Sequence, residues 1–163
     1  MSFLLEALSQ NSNPEAVKTA FADYRVYLES VREKLPAFAY EFAAAPWHYD
    51  YRDHRCPHDA WVESLLVQEP SSGTRHEIRE TEAAIKLLGA YHDGYLELIY
   101  PGVRSYSLFG EFSRKPNIGH GDWLTDEIRL SDNNFVLHEI LFSTGSRWLI
   151  ESRDIEVRWT PHS

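Results

Sequence analysis

Seven side chains able to bind a metal or move a proton crowd into WHYDYRDHRCPHDAW, residues 47–61: His48, Asp50, Asp53, His54, Cys56, His58 and Asp59. A thiolate with two neutral imidazoles suits zinc. The alternation of His54, Cys56 and His58 lets an extended backbone aim all three to one side, so zinc is the cofactor this stretch would take. Pro57 interrupts the run, however, and the common zinc spacings with two residues between ligands are missing. A fourth ligand would have to come from elsewhere, such as His120 or Asp122. The plainer alternative is a loop in which Arg52 and Arg55 pair with the aspartates while Trp47, Tyr49 and Tyr51 pack onto a sheet.

His120 lies in Ile118-Gly119-His120-Gly121-Asp122. Flanking glycines free the backbone for close approach to a ligand, and the His-x-Asp spacing would set a base beside a group that orients it. The same residues also make an ordinary turn ahead of a strand. His138 in FVLHEILF alternates with Val136, Ile140 and Phe142, which predicts an inward side chain satisfied by a hydrogen bond, with Glu139 pointing the other way. Glu97 in YLELIY is either a solvent-facing strand residue or, with His138, Tyr106, Trp123 and Trp148, part of the lining of an open barrel that holds a small amphipathic ligand. No Gly-x-Ser-x-Gly elbow is present, and Cys56 has no recognisable nucleophile signature.

One segment, VRSYSLFGEFSRK, interleaves Arg104, Arg114 and Lys115 with Tyr106, Phe109 and Phe112, the composition of a stacking platform for single-stranded nucleic acid. The net charge of −9 opposes it. Completing an aromatic core is the simpler role for these rings, and no phosphate-cradling glycine motif occurs.

The elements that must position these groups fall into two halves. Asn13 caps a helix, Pro14 takes its first position and Glu15 meets the positive end of its dipole. Val17, Ala20, Phe21, Tyr24, Leu28, Val31 and Leu35 form one apolar stripe, and Pro36 predicts the end. AFAYEFAAA makes a shorter second helix. From Trp61 the hydrophobic period falls to two. Strand one runs to a turn at Pro70 to Gly73, a long strand with a bulge near Gly89 covers Arg75 to Tyr91, and Asp93-Gly94 predicts a two-residue hairpin. Later reversals fall at Pro101-Gly102, Asp132 to Asn134 and Thr144-Gly145. The expected fold is α+β: a helical segment over 1–45, a His/Asp-rich loop over 46–60, and an antiparallel meander of about seven or eight strands over 61–160. Apolar residues on both faces of strands such as FVLHEILF predict a strongly curved or barrel-like sheet, or one covered by the helices or by a second copy of the chain.

At 163 residues, 43% of them hydrophobic and 13% aromatic, the chain suits one domain with a packed core. A single cysteine, the absence of a span of roughly 18 apolar residues and an N-terminus without a basic leader predict a soluble, cytoplasmic protein, monomeric or homodimeric. Two functions remain. One is a non-enzymatic binding domain whose acidic surface meets a basic protein partner, as a bacterial immunity or antitoxin-type protein would. The other is a small-ligand- or metal-binding β-barrel-like protein, enzymatic or not, with its site near residues 47–61 and 120–122.

Overall fold

The computed structural model describes residues 1–9, 13–112 and 117–163. Three helices, α1 (Leu4–Ser9), α2 (Pro14–Val31) and α3 (Ala37–Ala44), precede eight strands: β1 (Trp61–Gln68), β2 (Glu82–Leu88), β3 (Gly94–Tyr100), β4 (Ser105–Phe109), β5 (Trp123–Leu130), β6 (Val136–Phe142), β7 (Arg147–Ser152) and β8 (Glu156–Pro161). Asn13 caps α2 as its sequence predicts, its side chain accepting from Ala16 N at 2.9 Å. The helix stops at Val31, short of Pro36, which instead precedes α3.

The strands form two four-stranded antiparallel sheets, ordered β1-β2-β3-β8 and β4-β7-β6-β5. This corrects the curved or barrel-like meander. The chain leaves the first sheet at Pro101-Gly102, builds the second, and returns as β8 beside β3. Apolar residues fill both sets of inner positions because the two inner faces share one core: Ile85, Leu87, Leu96 and Leu98 from one sheet, Ile128, Ile140, Phe142, Trp148 and Ile150 from the other. Neither sheet closes on itself; each is covered by its neighbour.

Two further expectations are corrected by local chemistry. Residues Arg75 to Thr81 are loop, not strand. There the Glu77 carboxylate accepts from Ser71 Oγ, Ser72 N and Ser72 Oγ, closing the loop on itself. The hairpin after β2 is wider than the two residues Asp93-Gly94: Gly89 N donates to Gly94 O at 2.9 Å, and His92 takes the left-handed conformation. Gly94 is needed for packing, since a Cβ there would stand 2.3 Å from the Trp159 ring.

The helices seal one side of this arrangement. α1 packs on β5 and α2, while α3 touches β8 of one sheet and β5 of the other. The edge of β5 is closed residue by residue. Tyr24 Oη accepts from Ile128 N and donates to Ile128 O, Tyr27 Oη accepts from Leu130 N, and Tyr49 Oη donates to Asp126 O. His58 Nδ1 reaches Leu124 O at 2.8 Å. Side chains thus supply the partners that a ninth strand would have supplied.

Candidate functional site

Two consecutive carboxylates, Asp126 and Glu127, sit in the middle of β5 and are both buried. Strand alternation sends them to opposite faces. Outward, Glu127 accepts from Phe3 N and Leu4 N at 3.0 and 2.7 Å and so caps the start of α1. Arg129 bridges Glu127 to Glu139, its cross-strand neighbour. Inward, Asp126 accepts from Trp123 Nε1 at 3.0 Å, His138 Nε2 at 2.8 Å and His48 Nε2 at 2.9 Å. The second nitrogens complete the chain: Tyr100 Oη lies 2.8 Å from His138 Nδ1, and His48 Nδ1 lies 3.0 Å from Phe42 O.

Donor and acceptor counting fixes one proton of the cluster. A carbonyl only accepts, so His48 Nδ1 carries a proton. The ring's Nε2 meets both carboxyl oxygens of Asp126, at 3.0 and 2.9 Å. His138 meets the same carboxyl at Nε2 and shares a hydrogen bond with the Tyr100 hydroxyl at Nδ1. Burial alone would raise the Asp126 pKa; the charge of His48 and the hydrogen bonds from both histidines overcome it and hold the carboxyl well below the usual range. Every polar atom of Asp126, His48 and His138 is engaged, and all three residues are almost fully buried. The cluster ties α3, both sheets and the 46–50 segment together and offers no atom to a ligand.

The sequence candidates disperse around this core. His138 points inward as expected, yet it lines no open pocket, because Trp123, Trp148 and Phe142 fill the space. Glu97 faces out between its cross-strand neighbours Lys86 and Arg158, so the shared barrel lining is corrected to two unrelated positions. His54, Cys56 and His58 do not converge, and among the described residues no three potential ligands gather around one point. His54 pairs with Asp93 and stacks on Tyr91, whereas His58 stacks on Tyr51. Cys56 is buried with its thiol donating to His48 O at 3.0 Å, and burial pushes its pKa up to about 12. Arg52 pairs with Asp50 and Arg55 with Asp53. Of the nucleic-acid platform, Arg104 stacks on Phe135 and Tyr106, Phe109 and Phe112 are exposed, while Arg114 and Lys115 lie outside the described residues.

His120 and Asp122 do meet at one place. They help to line a cleft of about 380 Å³ with Trp61, Val62, Ile118 and Ser143. Its floor is positioned by Gly121, whose left-handed φ of 75° brings the backbone so close to Ser143 that a Cβ would lie 2.3 Å from Oγ. Asp122 N donates to that hydroxyl at 2.8 Å. The His120 ring leans edge-on against Trp148 at 5.1 Å and also touches Phe112 and Phe142. Desolvation there lowers its pKa from the ordinary histidine value. The carboxylate of Asp122 does not orient this imidazole; among the described residues it makes no hydrogen bond or ion pair.

Trp61 joins the cleft to a wider surface that sequence reasoning missed. Its ring is 51% exposed and meets the His92 ring at 4.7 Å. Next in the chain to His92, Tyr91 is 49% exposed, and its hydroxyl donates to Tyr51 O at 3.0 Å. Tyr51 is 50% exposed. Three half-exposed aromatic rings, each in contact with an imidazole, thus run from the cleft at Trp61 to the 50–59 loop, where Asp50 and Asp53 are paired with Arg52 and Arg55. Only tertiary pairing brings 51–61, 91–93 and 117–122 together, so no local spacing could have announced it. No protein-family model matches the chain, and neither a curated protein nor a solved structure matches it.

Proposed function

We propose that the protein is a non-enzymatic binding domain that docks a basic protein partner on the surface around Trp61. The observation that carries this reading is the composition of that surface. Half-exposed Trp61 lines a cleft holding Asp122, and half-exposed Tyr91 and Tyr51 continue from it beyond the Trp61–His92 contact, in a chain with a net charge of −9. Tryptophan and tyrosine are the residues that anchor protein interfaces. An arginine or lysine side chain fits the cleft chemically: its stem would lie on Trp61, Val62 and Ile118, and its charge would meet Asp122. The reactive groups elsewhere support binding over catalysis, since the Asp126 cluster is closed and the Cys56 thiol stays protonated and buried. An immunity or antitoxin-type role, neutralising a basic protein, is the form of function that such a surface serves.

Titrating a capped arginine-rich peptide against the protein, with a glutamate-rich peptide of equal length as control, tests the reading. Saturable binding of the basic peptide alone, weakened by salt and reduced at least tenfold by Trp61→Ala or Asp122→Asn, is expected. Equal binding of both peptides, or no loss in either variant, would refute it.

A further inference from the structure

The two sheets have four edges, and the structure treats them unequally. β5 is sealed by Tyr24, Tyr27, Tyr49 and His58. β8 lies against α3 and ends in Pro161. β4 is only five residues long. β1, with eight residues, is left open: among the described residues nothing except β2 hydrogen-bonds to Trp61–Gln68. Its side chains record the missing neighbour. Val62, Leu65 and Val67 face the core opposite Leu87, Ile85 and Ala83, which are fully buried, yet all three remain partly exposed. On the other face Leu66 is 50% exposed. A bulge between Val62 and Ser64 blunts the first part of the edge, but Ser64 to Gln68 runs in regular register.

We propose that β1 accepts an extended basic segment of a partner as an added strand running beside Ser64 to Gln68. This rests on the reading of the Trp61 surface as a docking site and gives that site its backbone geometry. Strand addition satisfies the open amides and carbonyls of an edge, while alternate side chains of the incoming segment supply specificity. Apolar side chains on one face would continue the cover over Leu65 and Val67. Basic side chains on the other face would meet the acidic balance of this region, since residues 59–82 contain six carboxylates against two arginines, and Lys86 and Arg153, which pair with Glu63 and Glu80, still leave it negative. The same charge argues against a second copy of the chain as the occupant, because pairing β1 with itself would bring two such acidic regions together.

The probe is a capped octapeptide alternating arginine and valine, together with two isomers methylated on the backbone nitrogens of all valines or of all arginines. In an extended strand these two sets of N–H groups point to opposite edges, so only one isomer loses the edge that pairs with β1. Calorimetry with the full chain is expected to show one isomer binding at least tenfold more weakly than the parent and the other within about twofold of it. If both isomers bind like the parent, or both weaken equally, strand addition is overturned, while a loss of parent binding in Trp61→Ala would still uphold the docking surface. Conversely, an isomer difference that persists in Trp61→Ala and Asp122→Asn at undiminished affinity supports the added strand and removes the cleft. No saturable binding of the parent overturns both. A concentration-dependent dimer in sedimentation, dissolved by Leu66→Lys, would assign the edge to a second copy and overturn the proposal.

Discussion

At the scale of single residues, the molecule separates polar groups that are locked from those that are available. Asp126 is the extreme of the first kind. It is the shared acceptor of Trp123, His48 and His138 in a closed core, so Asp126→Asn is expected to cost about 2–3 kcal/mol in urea unfolding; a cost near zero would show that the cluster does not hold the core. The pH dependence has a definite sign. The folded pKa of Asp126 lies below its unfolded value, so its contribution is complete above about pH 4 and is lost as the pH falls toward the folded value. Acid titration followed by circular dichroism should show wild-type stability declining over that range, with a shallower decline in the asparagine variant. Cys56 belongs to the same class. Its thiol, pushed up to about 12 by burial, should react with iodoacetamide in native protein at pH 8 about a hundredfold more slowly than in urea; equal rates would mean that the pocket around it is open.

Among the elements, β5 matters most. It is an edge strand that behaves as an interior one, because three tyrosine hydroxyls and one imidazole take the hydrogen bonds of a missing neighbour. Tyr24→Phe removes the partner of two backbone groups of Ile128 at once and should destabilise the protein by about 2–4 kcal/mol in chemical unfolding. A change below 0.5 kcal/mol, on the order of a typical surface substitution, would show that water replaces the hydroxyl freely. The helix carrying Tyr24 was legible in the sequence through the Asn13 cap and the apolar stripe, and so were most strands from Trp61 onward. The use of Tyr24 was not. A tyrosine on an apolar stripe reads as packing, and nothing in its spacing says that its hydroxyl will meet a strand about a hundred residues away. Asp126-Glu127 inside an otherwise apolar strand did carry a signal, since acids are depleted in strands, but their partners Phe3, His48 and Tyr100 come from distant segments. Gly94 shows the opposite error: Asp93-Gly94 has the composition of a tight turn, while the glycine is there to make room for Trp159. The division into two sheets was hidden for a related reason, since apolar residues on both faces are equally served by closing one sheet and by facing it with another.

On the scale of the whole molecule, the helices and tyrosines close one side and leave β1 and the ground around Trp61 open, on a chain of net charge −9. None of its helices described is long and apolar enough to cross a membrane. The candidate site was only half legible: His120 and Asp122 were singled out by their glycines, but their cleft exists because Trp61 comes up beside them from β1. The central claim, that this surface docks a basic segment, is tested most directly by nitrogen–proton correlation spectra recorded during titration with the alternating arginine–valine peptide. The five tryptophans give separate indole signals. The account predicts that the indole of Trp61 and the amides of residues 64–68 and 117–122 shift saturably while those of buried Trp123 and Trp148 stay in place; shifts centred on α2 and α3, or none at saturating peptide, would contradict it.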